Sequence, residues 1–200
     1  MAGLALGLYA AFVATAFGWR TWLQYRRTRD HGLRVLSLRV GSIEWLAVMF
    51  LLLGVTLAFA APLSQLADLG VLTVPFAGSL LGPMGLVLML LGFAGTILAQ
   101  LEMGDSWRIG VDPREMTPLI TDGLFRHVRN PIFSSMLLTI AGLMLMAPNI
   151  LSAVALASSF LGIEIQVRRV EEPYLIRVHG SRYLSYARRV GRFFPRIGVL

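Results

Sequence analysis

The chain has 200 residues, 56% of them hydrophobic and 14% charged, with a mean hydropathy of +0.69 and a formal net charge of +7. One core cannot bury that much apolar surface at this length, so the composition excludes a water-soluble globule and makes the bilayer the solvent for most of the chain. The absence of cysteine excludes disulfides, thiolate nucleophiles and cysteine metal sites, and three scattered histidines give no ligand spacing, so no metal is expected.

The first apolar run, residues 2–19, is similar to a signal-peptide core, but no basic leader precedes it and Arg20 follows at once. It reads as a retained first helix. The runs at 43–61 and 82–101 each approach the roughly 20 residues needed to cross about 30 Å of hydrocarbon. Between them, residues 62–81 are apolar yet hold Asp68 and two prolines, and read as an outer loop with an interfacial turn. Two shorter runs, 132–147 and 150–167, are divided by the turn signal Pro148-Asn149 and read as a tight transmembrane hairpin. The expected fold is therefore an all-α integral membrane protein: five transmembrane helices with a cytoplasmic C-terminal helical tail, one domain over 1–200. Small residues at Gly3 and Gly7, and at Gly92 and Gly95, would permit close helix packing, including a homodimer.

Every basic residue is arginine, and all lie in three stretches, 20–39, 108–129 and 168–196. The positive-inside rule places all three in the cytoplasm, with loops around Arg26 and Asp112 and the C-terminus inside and the N-terminus outside. Residues 102–131 and 168–200 then become two cytoplasmic segments that meet at one membrane face. The same rule, with membrane lipids as partners, accounts for the basic charge, so nucleic acid is not an expected partner. An arginine-only basic set suggests a GC-rich coding bias and a bacterial plasma membrane.

The polar segments Gly123–Phe133 and Arg168–Gly180 hold the residues able to do chemistry. Arg126 and Arg129 suit a membrane boundary, and Asn130-Pro131 suits the start of a helix, whose free N–H groups beside a guanidinium also make an anion site. Glu171 and Glu172 follow Arg168 at helical salt-bridge spacing, and also at the place where a carboxylate pair could take ribose hydroxyls or a cation. Glu172, Leu175 or Ile176, and His179 follow one helical face. Gly180 is an expected helix stop. Beyond it, Tyr183 and Tyr186 recur at i, i+3, as an interfacial belt or as rings and hydroxyls for a polar ligand. The segment Asp105–Asp112, with Trp107 and Arg108, reads equally as a lid or as a linker.

Three motifs in order, Gly-x-x-Arg-x-x-Arg-Asn-Pro-x-Phe, Glu-Glu-Pro-Tyr-Leu and His-Gly-x-x-Tyr-x-x-Tyr-x-x-x-Val, make residues 101–195 resemble the isoprenylcysteine carboxyl methyltransferase family and, more distantly, the membrane phospholipid N-methyltransferases. The resemblance implies an S-adenosylmethionine-dependent methyltransferase with a lipophilic acceptor arriving from the bilayer. On it, Arg129 and Glu172 are the expected catalytic residues. Arg126, Asn130, Phe133, Glu171, Glu172, Leu175, His179, Tyr183 and Tyr186 are the expected cofactor contacts. Two positions depart from the family pattern: Asn130 stands where a histidine is usual, and His179 precedes Gly180 where phenylalanine is usual. A nicotinamide-dependent membrane reductase is the alternative enzyme, although no dinucleotide glycine fingerprint supports it, and a non-catalytic membrane scaffold is the alternative outside enzymes.

Overall fold

The computed structural model describes residues 1–69, 80–111 and 115–200. The middle of the expected outer loop, and Asp112 among the expected cytoplasmic loops, lie outside the described residues. Among the described residues, five long helices make up the fold: α1 (Ala2–Thr28), α2 (Ile43–Leu66), α3 (Leu81–Glu102), α4 (Pro131–Met146) and α5 (Ile150–Ala187). Among the described residues there is no strand, only isolated bridges such as Leu33–Ile109 and Val128–Gly191. Helices α1, α2, α3 and α5 are long and apolar enough to cross a membrane, whereas α4 is a 16-residue apolar helix. Their outward faces carry large apolar side chains, among them Leu52, Leu91 and Leu161, which suits lipid rather than water.

Helix α1 runs nine residues past the expected end at residue 19 because its first arginine does not face headgroups. Arg20 is fully buried: its guanidinium donates to Gln24 Oε1 (3.0 Å) and Gly104 O (2.5 Å) and lies 4.6 Å from the Trp107 ring. Each of those contacts replaces hydration that the charge has lost. A π-helical turn at Ala14–Trp19 precedes it, and Gln100 Nε2 donates to Ala16 O there (3.0 Å). Farther along, Tyr9 meets Phe59 of α2 and Phe12 meets Phe93 of α3 edge-on, at 4.8 and 5.4 Å between ring centroids. These pairs seat α1 on the rest of the bundle.

The outer loop starts later than expected, since α2 includes Pro62 and ends at Leu66. Ser64 is buried there, with its hydroxyl on Ala61 O, and Asn149 Nδ2 donates to the same carbonyl (2.8 Å). Asn149 also caps α5, its Oδ1 accepting from Ser152 N while Ser152 Oγ accepts from Asn149 N. That reciprocal pair is what makes the Pro148-Asn149 turn between α4 and α5 so short.

Helix α3 packs chiefly on α4, and α2 on α5. The α3–α4 crossing is backbone to backbone: a Cβ on Gly92 would stand 2.5 Å from Thr139 N, and one on Gly142 would stand 2.4 Å from Met89 N. Gly92 and Gly95 are therefore used inside the chain rather than for a second copy. Gly3 and Gly7 meet nothing within 4 Å.

Candidate functional site

At the polar end of the bundle the C-terminal residues run back across the start of α4. Arg129 N donates to Gly191 O (2.8 Å), Asn130 N and Nδ2 both donate to Arg192 O (3.2 and 3.1 Å), and Ser134 Oγ donates to Phe193 O (2.8 Å). Asn130 thus stands at the N-cap position of α4 as expected, but its side chain ties down the C-terminal strap and does not cap the helix. The backbone leaves helical geometry at Gly180 (φ 52°, ψ −128°), the expected stop, and resumes for two turns to Ala187. This break returns the tail to α4.

Inside the strap sits one buried carboxylate between two buried guanidiniums. Glu172 Oε1 accepts from Arg129 Nη2 and from Arg192 Nε, each at 2.8 Å, and Glu172 Oε2 accepts from Arg192 Nη2 at 3.0 Å. The remaining amino donors of Arg129 go to the carbonyls of Ala187 (2.6 Å), Val190 (2.8 Å) and Gly198 (3.0 Å). Glu172 raises the pKa of Arg192 by accepting its hydrogen bonds. The helical partnership of Arg168 with Glu171 or Glu172 does not form, because Arg168 turns to Glu164 instead. Nor is Glu172 exposed in a polar cleft: only 6% of it is accessible.

Next to this cluster, a cavity of about 420 Å³ runs from the polar end into the bundle. Arg129, Asn130, Glu171, Tyr174, Tyr183 and Tyr186 line its polar part, and Phe133, Met136 and Ile140 of α4, Leu51 and Val55 of α2, and Tyr9 and Phe12 of α1 line its apolar part. The π-helical turn Gln166–Glu171 adds a residue to α5 here and ends on Glu171. Glu171 accepts a hydrogen bond from Gln166 Nε2 (3.2 Å). Tyr186 donates to Phe125 O (2.5 Å) and Tyr174 to Glu115 O (2.6 Å), so both rings are fixed at their hydroxyl ends.

Two connecting loops close over the polar part. Ile109 N donates to Gly32 O (2.8 Å) and Arg34 N to Ile109 O (2.9 Å), while Arg34 pairs with Asp30 and Glu115, and Arg108 pairs with Glu115. Arg34 and the Gly32 N–H hold the Asp30 carboxyl well below the usual carboxylate range. Trp107, Arg108, Ile109 and Val35 all line the cavity, so residues 106–111, in the described part of the Asp105–Asp112 segment, form a wall of it.

Of the expected site residues, Arg129, Asn130, Phe133, Glu171, Leu175, Tyr183 and Tyr186 share this cavity, and Glu172, His179 and Arg126 do not. Glu172 stands behind the wall, holding Arg129. His179 is half-buried, its Nε2 sealed from solvent without a hydrogen-bond partner. Arg126 lines a separate hollow with Arg182 and Arg189. Arg192, Gln166 and Val35 were not singled out from the sequence. Tyr174 lies inside the Glu-Glu-Pro-Tyr-Leu motif and Trp107 and Arg108 inside the Asp105–Asp112 segment, but none of the three was named as a site residue, and Arg192 stands as the polar residue of Val190-Gly-Arg-Phe-Phe-Pro195. Among the described residues, no group of three acidic or histidine side chains gathers where a metal ion could be held.

A cavity with arginine, carboxylate and tyrosines at one end and mainly apolar walls at the other suits a polar group meeting a lipophilic one. The sequence profile described as phospholipid methyltransferase matches residues 81–182, the stretch from α3 through most of α5. The chain belongs to the phospholipid methyltransferase family. It is 31% identical over 113 residues to protein-S-isoprenylcysteine O-methyltransferase B of Arabidopsis thaliana, covering 56% of this chain and 57% of that one. It is also 31% identical over 114 residues to the cobalt-zinc-cadmium resistance protein CzcN of Cupriavidus metallidurans, covering 56% and 51%. A third relative, the nickel-cobalt-cadmium resistance protein NccN of Alcaligenes xylosoxydans xylosoxydans, is 31% identical over 113 residues, covering 56% and 52%. The chain thus spans about half the length of the curated relatives it matches. The isoprenylcysteine resemblance carried by the three motifs is sustained by the Arabidopsis relative and by the family itself.

Proposed function

We propose that this chain is an integral membrane methyltransferase that takes S-adenosylmethionine at the polar end of the 420 Å³ cavity and a lipophilic acceptor, such as a prenylcysteine-like carboxylate or another small lipid, along its apolar length. The continuity of that cavity is the observation that carries the reading. Its donor set fits the cofactor: Glu171 has lone pairs left for ribose hydroxyls, the Tyr174, Tyr183 and Tyr186 rings suit a sulfonium, and Arg129 puts positive charge at the wall for a carboxylate. When bound, the cofactor supplies an electrophilic methyl group. The chain's part is to align the two partners and keep water out, which for an in-line displacement is most of the catalysis. Arg129 and Glu172 act here by fixing the mouth, with Glu172 a positioning residue because it does not reach the cavity. A carboxylate acceptor requires no base, and for an amine or hydroxyl acceptor Glu171 is the base within the cavity.

Calorimetric titration of the detergent-solubilised protein with S-adenosylhomocysteine tests the reading, with NADPH as the arm for a nicotinamide reductase. Binding of the first and not the second is expected. NADPH binding alone points to the reductase, and no binding of either leaves a membrane scaffold. Glu171→Gln is expected to weaken S-adenosylhomocysteine binding by about 1.5–3 kcal/mol, the range for a hydrogen bond to a charged group, while thermal stability stays near wild type. An unchanged dissociation constant would remove Glu171 from the site.

In the same reading α1 to α5 all cross a bacterial plasma membrane, with the N-terminus outside and residues 102–131 and 168–200 in the cytoplasm, so that the cofactor arrives from the soluble phase. The open Gly3/Gly7 face of α1 is where a homodimer would form. Because the chain has no cysteine, single introduced cysteines report sidedness cleanly. Leu69, half exposed just beyond α2, and the exposed Ser185 are suitable positions, whereas Ser64 is buried. Leu69→Cys should react with an impermeant thiol reagent in intact cells and Ser185→Cys should react only after lysis, and the reverse pattern would invert the topology.

A further inference from the structure

Beside the cavity mouth lies a second hollow of about 400 Å³, lined by Arg126, Arg182, Arg189, Thr121 and the outer side of Tyr186. No carboxylate lines it. Arg126 and Arg182 are exposed and form no ion pair among the described residues, and Arg189 is exposed with only its Nε turned to Ser185 O (3.1 Å). Three guanidiniums from two separate elements, the turn before α4 and the end of α5, therefore converge on one space with their charge unbalanced.

Its position in the fold points to the ligand. Arg126 stands five residues before the apolar helix α4 begins at Pro131, and the Gly180 break brings Arg182 and Arg189 back to that level, where residues 187–198 are strapped to the first turn of α4. The hollow thus opens where the apolar surface of the bundle gives way to polar chain, the depth of lipid phosphates. Guanidiniums present paired N–H groups that match phosphate oxygens, and the Thr121 hydroxyl adds a neutral donor. We propose that this hollow is a binding site for the phosphate of an anionic phospholipid of the surrounding leaflet, distinct from the cavity and separated from it by Tyr186 and Leu119, which line both. It does not depend on the methyltransferase reading.

The test uses the full chain purified in a neutral detergent and titrated with phosphatidylglycerol, followed by tryptophan fluorescence and by thermal unfolding. Phosphatidylcholine is the zwitterionic control, and glycerol phosphate supplies the same phosphate chemistry without a membrane tail. Phosphatidylglycerol should bind saturably and raise the unfolding midpoint, while the other two should do neither at matched concentration. Each arginine near an anionic lipid surface contributes roughly five-fold in affinity, so R126Q/R182Q should weaken phosphatidylglycerol binding by about thirty-fold without lowering the lipid-free midpoint. The control R26Q/R27Q removes two exposed arginines of α1 that do not line the hollow and should leave the affinity within about two-fold. Equal losses in the two double variants would overturn the site in favour of diffuse surface charge. A glycerol phosphate response equal to that of phosphatidylglycerol would overturn the lipid source.

Discussion

Replacing Glu172 by alanine is expected to destabilise the protein by about 3–5 kcal/mol, because it leaves Arg129 and Arg192 buried without their shared counter-charge. Only 2% of the Arg129 side chain and 9% of that of Arg192 are accessible, so water cannot take over the lost hydrogen bonds. Glu172→Gln should fall between alanine and wild type, since its amide oxygen can still accept where Oε1 does, but it carries no charge and its NH2 would face the Arg192 Nη2 donor in place of Oε2. The carbonyls of Ala187, Val190 and Gly198 are held by Arg129 itself, so losing the carboxylate should loosen the strap before the helices separate. Thermal unfolding in detergent measures the first effect. Limited trypsin cleavage after Arg188, Arg189 and Arg196 measures the second. A Glu172→Ala protein as stable and as protease-resistant as wild type would mean that the cluster is not the clasp its geometry implies. The neighbouring Glu171→Gln makes the contrast, since it removes charge without stranding an arginine.

That contrast between adjacent glutamates shows where sequence reasoning reaches its limit. Helical periodicity and apolar length located the five long helices seen among the described residues, and the Pro148-Asn149 turn was legible because capping residues act within four positions of one another. Helix ends were less legible. Arg20 counted as a flanking charge until Trp107 and the Gly104 carbonyl, more than eighty residues away, gave it a buried place, and α1 went on to Thr28. Arg129, Asn130, Glu171, Tyr183 and Tyr186 of the motifs line one cavity. The motifs could not say which glutamate faced the cavity. A π turn shifts the helical register by one residue between Gln166 and Glu171, and an ideal helical wheel has no such shift. Arg192, twenty residues on, decides the matter by claiming Glu172 from behind.

The apolar half of the cavity leads to the expectation with the largest effect on activity. A tail of n methylenes gains about 0.8 kcal/mol per CH₂ on leaving water, but a membrane-borne acceptor has already collected that gain, because lipid tails are as apolar as the cavity walls. Chain length alone therefore reports partitioning into the membrane. In the proposed reading, what the cavity adds is position: a tail seated along Phe133, Met136 and Ile140 would fix its head against the polar end, where a displacement of 1 Å can cost about a hundred-fold. Met136→Trp fills the middle of that path. Methyl transfer from labelled S-adenosylmethionine into the lipid-soluble fraction should fall by about a hundred-fold in kcat/KM for long-chain acceptors that reach past Met136, and only about two-fold for short ones that do not. Added volume in a packed bundle costs about 1–3 kcal/mol in stability, so S-adenosylhomocysteine affinity serves as the check that the polar end is intact, and it should not change. A loss of equal size for short and long acceptors would show that the apolar cavity is not where the tail lies, and that the helices serve only to anchor the site.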